Sequence, residues 1–240
     1  MTVIPATIPE PERTTRRLGE LLGLPTAGSR ESSQRPEREA RPLPLVAVKV
    51  RARIVADCAV TELEERFANA STQPMDVTHT IPLPADGAVV AFEISAGERV
   101  ARGRCKRTEE ARADFADAAR RGKTAAFLDS VRDDVHVVNL ANVPPKSEIV
   151  VRLTIVERLR VDDGRFEYRF PTTISPKFVP GDSTGHDGHG TSPDTDRAPD
   201  ASRLTPPVRL DGGTLLDLEI ALPDHVTDLG ASMPLVRSAA

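Results

Sequence analysis

The sequence predicts a mainly β fold carrying one short α-helix, and three observations lead to that class. Between residues 45 and 170, apolar side chains recur at every second position in several short runs, the spacing that lines one face of a strand. Turn pairs such as Asp86-Gly87 and Asp163-Gly164 separate these runs. A single segment, Thr108 to Leu128 (TEEARADFADAARRGKTAAFL), breaks the alternation with apolar residues at helical spacing.

Composition sets the outer limits. A chain of 240 residues holds one β-rich domain of about 100–200 residues with tails. Apolar residues make up 39%, charged residues 28%, and the net charge is -4. The surface is soluble without the positive surplus that nonspecific phosphate binding needs, which disfavours nucleic acid as a partner. With 7 Phe, 1 Tyr and no Trp, the chain offers no stacking platform for bases or sugars. Two cysteines, Cys58 and Cys105, cannot form a disulfide framework. They read as ordinary thiols, and a single bridge between them stays open. Pro5, Pro9, Pro11 and the charges from Glu10 to Arg17 stand where a signal peptide has its apolar run. No apolar stretch reaches the length of about 20 residues that spans a bilayer. The expectation is a cytoplasmic protein without membrane insertion.

In chain order, residues 1–42 read as a flexible arm with a short helix over 15–24, interrupted by Gly19 and Gly23 and ended by Pro25. From Leu45, Val46, Val48, Val50, Ala52 and Ile54 alternate with Lys49, Arg51 and Arg53, a strand with a basic outer face. Periodicity leaves residues 59–68 (AVTELEERFA) open between helix and strand. Val77, His79, Ile81 and Leu83 share one face of a strand that Pro82 and Pro84 confine to an edge or terminus. Val90, Phe92 and Ile94 follow Asp86-Gly87, and Val100 to Cys105 form a short strand.

The helix reads with Thr108 as its cap, Glu109 and Glu110 in its first turn, and Arg120 and Arg121 in its last. Gly122 is the left-handed stop. Ala111, Phe115, Ala118 and Ala119 form its stripe, with Phe115 expected to supply most of the burial.

Residues 124–128 return to extended structure, Ser130 to Asp134 read as a turn, and Val135, Val137, Leu140 and Val143 form a strand with a bulge near Asn139. Pro144-Pro145 closes it. Val151, Leu153 and Ile155 lead to a hairpin at Asp162-Asp163-Gly164, after which Phe166, Tyr168 and Phe170 share a face expected to be the thick part of the core, ended by Pro171. Residues 182–203 are rich in Gly, Asp, Ser and Pro and read as a disordered linker. Residues 204–222 read as a β-hairpin that cannot stand alone and must add to the first domain or begin a second one, and 223–240 as a tail.

No phosphate-binding loop, zinc-protease, paired-cysteine or nucleophile-elbow motif is present. His79 and His136 lie on strands. His186 and His189, beside Asp182 and Asp187, have metal-ligating chemistry on a glycine-rich backbone without support. Glu109, Glu110, Asp114 and Asp117 read as solvated helix charge. No residue is assigned to catalysis, a cofactor or a metal.

The order of the segments carries a resemblance. It runs through Arg66-Phe67-Ala68-Asn69, Ile81-Pro82-Leu83-Pro84, Ala88-Val89-Val90-Ala91-Phe92 and Gly103-Arg104-Cys105-Lys106-Arg107. It continues with Glu110-Ala111-Arg112, Phe115, Ala118 and Gly122-Lys123-Thr124-Ala125, then Asn139 to Pro145, including Asn142 and Pro144, and Phe170-Pro171. Across roughly residues 43–181 the chain resembles the VIT domain, the vault protein and inter-alpha-trypsin inhibitor heavy chain module. The resemblance implies a β-sandwich-like fold with the helix laid across it, and it makes residues 59–68 a strand. It also implies a noncatalytic module that usually precedes a von Willebrand factor type A domain. The Asp-x-Ser-x-Ser metal motif of that second domain is absent from the sequence, so its metal-dependent adhesion does not carry over. Residues 204–222 resemble the first strands that connect the module to its type A neighbour, and the resemblance implies a truncated or split member.

Two classes of function follow. The first is a noncatalytic protein-interaction or scaffold module that needs no cofactor and binds a protein partner. The alternative is a metal-dependent binder or enzyme using His79, His136 or the His186/His189 segment. A nonfunctional fragment is the third reading.

Overall fold

The computed structural model describes residues 3–7, 45–172, 179–188, 190–205, 214–223, 225–232, 234 and 236, with backbone alone for 3–7. The helix expected over 15–24, His189, and the first arm of the 204–222 hairpin with Val208 and Leu210 lie outside the described residues.

The elements are β1 (Val3–Thr7), β2 (Leu45–Val55), β3 (Cys58–Asn69), β4 (Met75–Pro82), β5 (Ala88–Ala96), β6 (Arg99–Arg102), α1 (Thr108–Arg120), β7 (Ala125–Arg132), β8 (Val135–Val143) and β9 (Ser147–Arg158). Short pieces follow: β10 (Arg160–Asp162), β11 (Arg165–Glu167), β12 (Ser183–Gly185), β13 (Asp194–Thr195), α2 (Ala201–Leu204) and β14 (Leu215–Ala221). Two sheets form the sandwich, one ordered β1-β7-β8-β4 and the other β14-β2-β3-β9-β5-β6.

The inward faces follow period-two patterning. Leu63 and Phe67 of β3, Phe92 and Ile94 of β5, and Ile149, Val151, Leu153 and Ile155 of β9 meet Val77, Ile81, Ala126, Leu128, Val138 and Leu140 of the other sheet in one core. Residues 59–68 are strand, as the resemblance implied. Helix α1 covers the opposite face of β7, where Ala111, Phe115 and Phe127 form a second, small cluster. Strand β8, interior to its sheet between β7 and β4, is buried along nearly its whole length, unlike a strand with one wet face.

Several expectations are corrected. Thr108 is the first helical residue rather than the cap; Arg107 precedes the helix and no side chain caps it. Lys106 bridges Glu110 and Asp114 at 2.7 and 2.6 Å. The helix is anchored by Ala111 and Ala118, because its backbone lies close to the sheet. Phe115 is only half-buried, its ring centroid 5.8 Å from that of Phe127. Gly122 does adopt a left-handed φ of 75°.

Val90 does not share the face of Phe92 and Ile94. A bulge between Val89 and Ala91 shifts the register and leaves Val90 59% exposed. Ser130 to Arg132 belong to β7, so only Asp133-Asp134 turn. The irregularity in β8 lies near Asn142, which has φ 54°, instead of Asn139. The hairpin at Asp162-Asp163-Gly164 forms as read, but β11 ends at Glu167. Phe166 is exposed, Tyr168 and Phe170 are half-buried, and the aromatic bulk of the core comes from Phe67 and Phe92.

The arm and linker readings change too. Residues 3–7 pair antiparallel with β7 at the sheet edge, where Pro5, having no N–H to donate, is tolerated. Within 181–205, hydrogen bonds substitute for apolar mass. Asp194 accepts from the Ser202 N–H at 2.8 Å, the Ser202 hydroxyl at 2.7 Å and the Asp187 N–H at 3.0 Å. Gly188 permits the close approach, since a Cβ there would lie 2.3 Å from the Ser202 carbonyl oxygen. Finally, β14 runs parallel to β2 as the last strand of the six-stranded sheet among the described residues, so residues 215–221 add to the sandwich by pairing across the molecule.

Candidate functional site

The histidines were the chemistry-bearing residues in the sequence, and the fold separates them. His79 points from β4 between the sheets, where its Nε2 lies 3.0 Å from Glu65 Oε1 and its ring meets Phe67 edge-on at 5.5 Å. His136 is buried near the end of β8, and its Nδ1 has no hydrogen-bond partner among the described residues. Burial pushes the His136 imidazole below the ordinary histidine value, against the opposing pull of Asp129, Asp134 and Asp133. His186 is exposed on the loop after β12. Among the described residues no group of three or more His, Cys, Asp or Glu side chains gathers to hold a metal. Cys58 and Cys105 are both free thiols.

Other residues singled out by sequence hold the sandwich together. Asn69 Nδ2 donates to the carbonyls of Gln73, Val143 and Pro144 at 2.8, 2.9 and 3.1 Å, linking the two sheets at one end. Asn142 Nδ2 donates to the carbonyls of Ala119 and Lys123, both at 2.9 Å, and its N–H donates to Asp76 at 2.8 Å. Pro84 is buried, while Pro82, Pro144 and Pro171 are half-buried and Glu110 is exposed.

Two buried acidic residues, Asp129 and Glu157, were not singled out in the sequence. Asp129, on the face of β7 that α1 covers, accepts from Arg112 at 3.0 Å and Arg203 at 2.8 Å, tying β7 to the helix and to the 181–205 segment. Glu157 is buried at the far end of β9, with Oε1 unpaired among the described residues. Burial, reinforced by the charge of Asp86, pushes its carboxyl above the usual range. Nearby, the Tyr168 hydroxyl lies 3.0 Å from the Thr61 hydroxyl. Burial pushes the Tyr168 phenol up to about 12. The inward position of Glu157 continues the β9 alternation, the one signal that marked it in the sequence.

The outer face of the six-stranded sheet carries a regular row of charges. Asp217 lies opposite Lys49, Lys49 opposite Glu64, Glu64 opposite Arg152, Arg152 opposite Glu93, and Glu93 opposite Arg102. One residue from each strand thus forms a row whose charge alternates at every step. Arg152 contacts Glu64 at 2.9 Å and Glu93 at 3.5 Å, and Arg102 contacts Glu93 at 3.3 Å. Burial raises the Glu64 carboxyl, but hydrogen bonds from Arg66 and Arg152 outweigh it and hold the group below its ordinary value. At the β14 edge Arg51 contacts both Asp217 at 3.2 Å and Glu219 at 3.0 Å. The basic face read from β2 is therefore a middle column with an acidic strand on either side.

Comparison with known proteins agrees with this architecture. Residues 45–155 match the family model described as the Vault protein inter-alpha-trypsin domain, VIT. Residues 45–155 are a VIT domain. The chain is 26% identical over 140 residues to the protein mono-ADP-ribosyltransferase PARP4 of Mus musculus, covering 58% of this chain and 7% of that protein. It is 27% identical over 127 residues to a von Willebrand factor A domain-containing protein of Dictyostelium discoideum, covering 52% of this chain and 14% of the other. With inter-alpha-trypsin inhibitor heavy chain H3 of Pongo abelii it shares 23% identity over 154 residues, 63% of this chain and 18% of that one. The chain therefore spans a small fraction of these relatives' length. Among the described residues no helix is long and apolar enough to cross a membrane.

Proposed function

We propose that this chain is a noncatalytic interaction or scaffold module that holds a protein partner. The observation that carries the reading is the VIT match over residues 45–155, the part of the chain that supplies most strands of both sheets. The geometry supports it. The strand histidines sit inside the sandwich, and the well-patterned surfaces are sheet faces and edges, which recognise other chains. Transferase chemistry belongs to PARP4 by its name, and the aligned stretch is 7% of that protein.

The test is crosslinking of the full chain in its native cell, followed by calorimetry with each captured protein in purified form. The expected result is at least one saturable partner whose binding is unchanged by a metal chelator. A monodisperse monomer that yields no saturable partner overturns the reading.

A further inference from the structure

The outer edge of β14 is where the charge row stops. Its backbone is paired with β2 on one side, and among the described residues no strand lies on the other. Asp217 and Glu219 project to the outer face, their side chains 57% and 64% exposed, and share the single guanidinium of Arg51. On the other face Leu216 and Ile220 are 45% and 36% exposed. A strand edge with no partner among the described residues, bearing two exposed carboxylates on one face and aliphatic side chains on the other, is a template for one more strand.

We propose that this edge docks an extended segment of another protein in which Lys or Arg alternates with aliphatic residues. The inference rests on the interaction-module reading and adds the surface and the chemistry of its partner. The chain shows what such a segment looks like. β2 sets Lys49 and Arg51 opposite Asp217 and Glu219, and Val48, Val50 and Ala52 opposite Leu216, Leu218 and Ile220. Both edges of a strand present the same side-chain alternation, so the free edge selects the same pattern.

A second copy fits less well. Pairing two β14 strands about a two-fold axis centred on Leu218 sets Asp217 opposite Glu219, like charges directly opposed. Head-to-tail pairing onto β6 offers four residues to the seven of β14.

The experiment titrates the isotope-labelled full chain with a peptide copying residues 45–55 (LVAVKVRARIV) and follows backbone amides by NMR. A second peptide carries Glu at the three positions of Lys49, Arg51 and Arg53. The expected result is saturable perturbation centred on residues 215–221, affinity roughly tenfold weaker for the acidic peptide, and weakening with salt. The double variant Asp217→Lys/Glu219→Lys, its fold checked by circular dichroism, reverses the preference between the peptides. Equal affinities, perturbation centred on another strand, or concentration-dependent self-association through β14 overturns the proposal. A native partner crosslinked to another face overturns this assignment and leaves the interaction-module reading standing. Absence of any saturable partner removes both.

Discussion

Asn142 Nδ2 lies 2.9 Å from the carbonyl oxygen of Ala119. Through it, an interior strand closes the C-terminal turn of the helix. The same amide reaches the Lys123 carbonyl, the Thr124 hydroxyl donates to the Asn142 carbonyl at 2.9 Å, and the backbone at Asn142 has φ 54°. Asparagine tolerates that left-handed conformation and also supplies two donors. Asn142→Ala is expected to destabilise by about 2–4 kcal/mol, combining lost hydrogen bonds to buried carbonyls with backbone strain. Asn142→Gly relieves the strain alone and falls between. Urea melts of the three proteins check the order.

Phe115 and Ala111 exchange the importance their sizes suggest. Phe115→Ala is expected to cost about 1–2 kcal/mol, less than a fully buried phenylalanine, because the ring is half-exposed over Phe127. Ala111 is fully buried, and Ala111→Leu is expected to cost about 1–3 kcal/mol by forcing helix and sheet apart. Equal melting midpoints for both variants and the parent would show that the helix does not pack in this way.

Glu157 gives a pH signature. In the native state its carboxyl keeps a proton to higher pH than in the unfolded chain, first through burial and then through Asp86. Stability therefore falls as pH rises from the unfolded value of 4.5 through the higher native value. Glu157→Gln is expected to raise the melting temperature at pH 7 to 8, and the difference is expected to vanish below pH 4.5. A difference independent of pH would place its origin elsewhere.

His136 has the opposite sign. Its native value is lowered, burial being the main cause, so stability is lost as pH falls below the unfolded value of 6.5. His136→Gln is expected to flatten that loss in melts between pH 5 and 7.

The charge row predicts a compensating pair. Arg152→Glu sets three acids side by side with Glu64 and Glu93 and is expected to cost about 1–2 kcal/mol at low salt, less at high salt. Adding Glu64→Arg is expected to recover part of the loss. A double-mutant cycle reads the coupling, and additivity would show that the row is only a solvated face.

By itself the sequence determined the local structure. Period-two runs set most strands, Asp163-Gly164 set a tight hairpin, and the stripe from Ala111 to Ala119 with Gly122 set the helix. Those features depend on neighbours a few residues away, so they are legible in a line of residues. The VIT resemblance was legible as well, because it lies in the order of such segments. Tertiary structure decided everything that depends on partners distant in the chain. Nothing within residues 59–68 marks Glu65 as buried, yet β4 brings His79 across the sandwich to 3.0 Å from it. The aromatic run from Phe166 to Phe170 has the right period for a core strand, yet β11 stops at Glu167 and leaves Phe166 in solvent. Residues 182–203 lack apolar mass, and Asp194 with Ser202 orders part of them through hydrogen bonds that composition does not display. The largest change is at β14. Its alternation was plain in the sequence, but a strand's hydrogen bonds do not name their partner. Only register placed Asp217 beside Lys49 and, among the described residues, ended the charge row at β14.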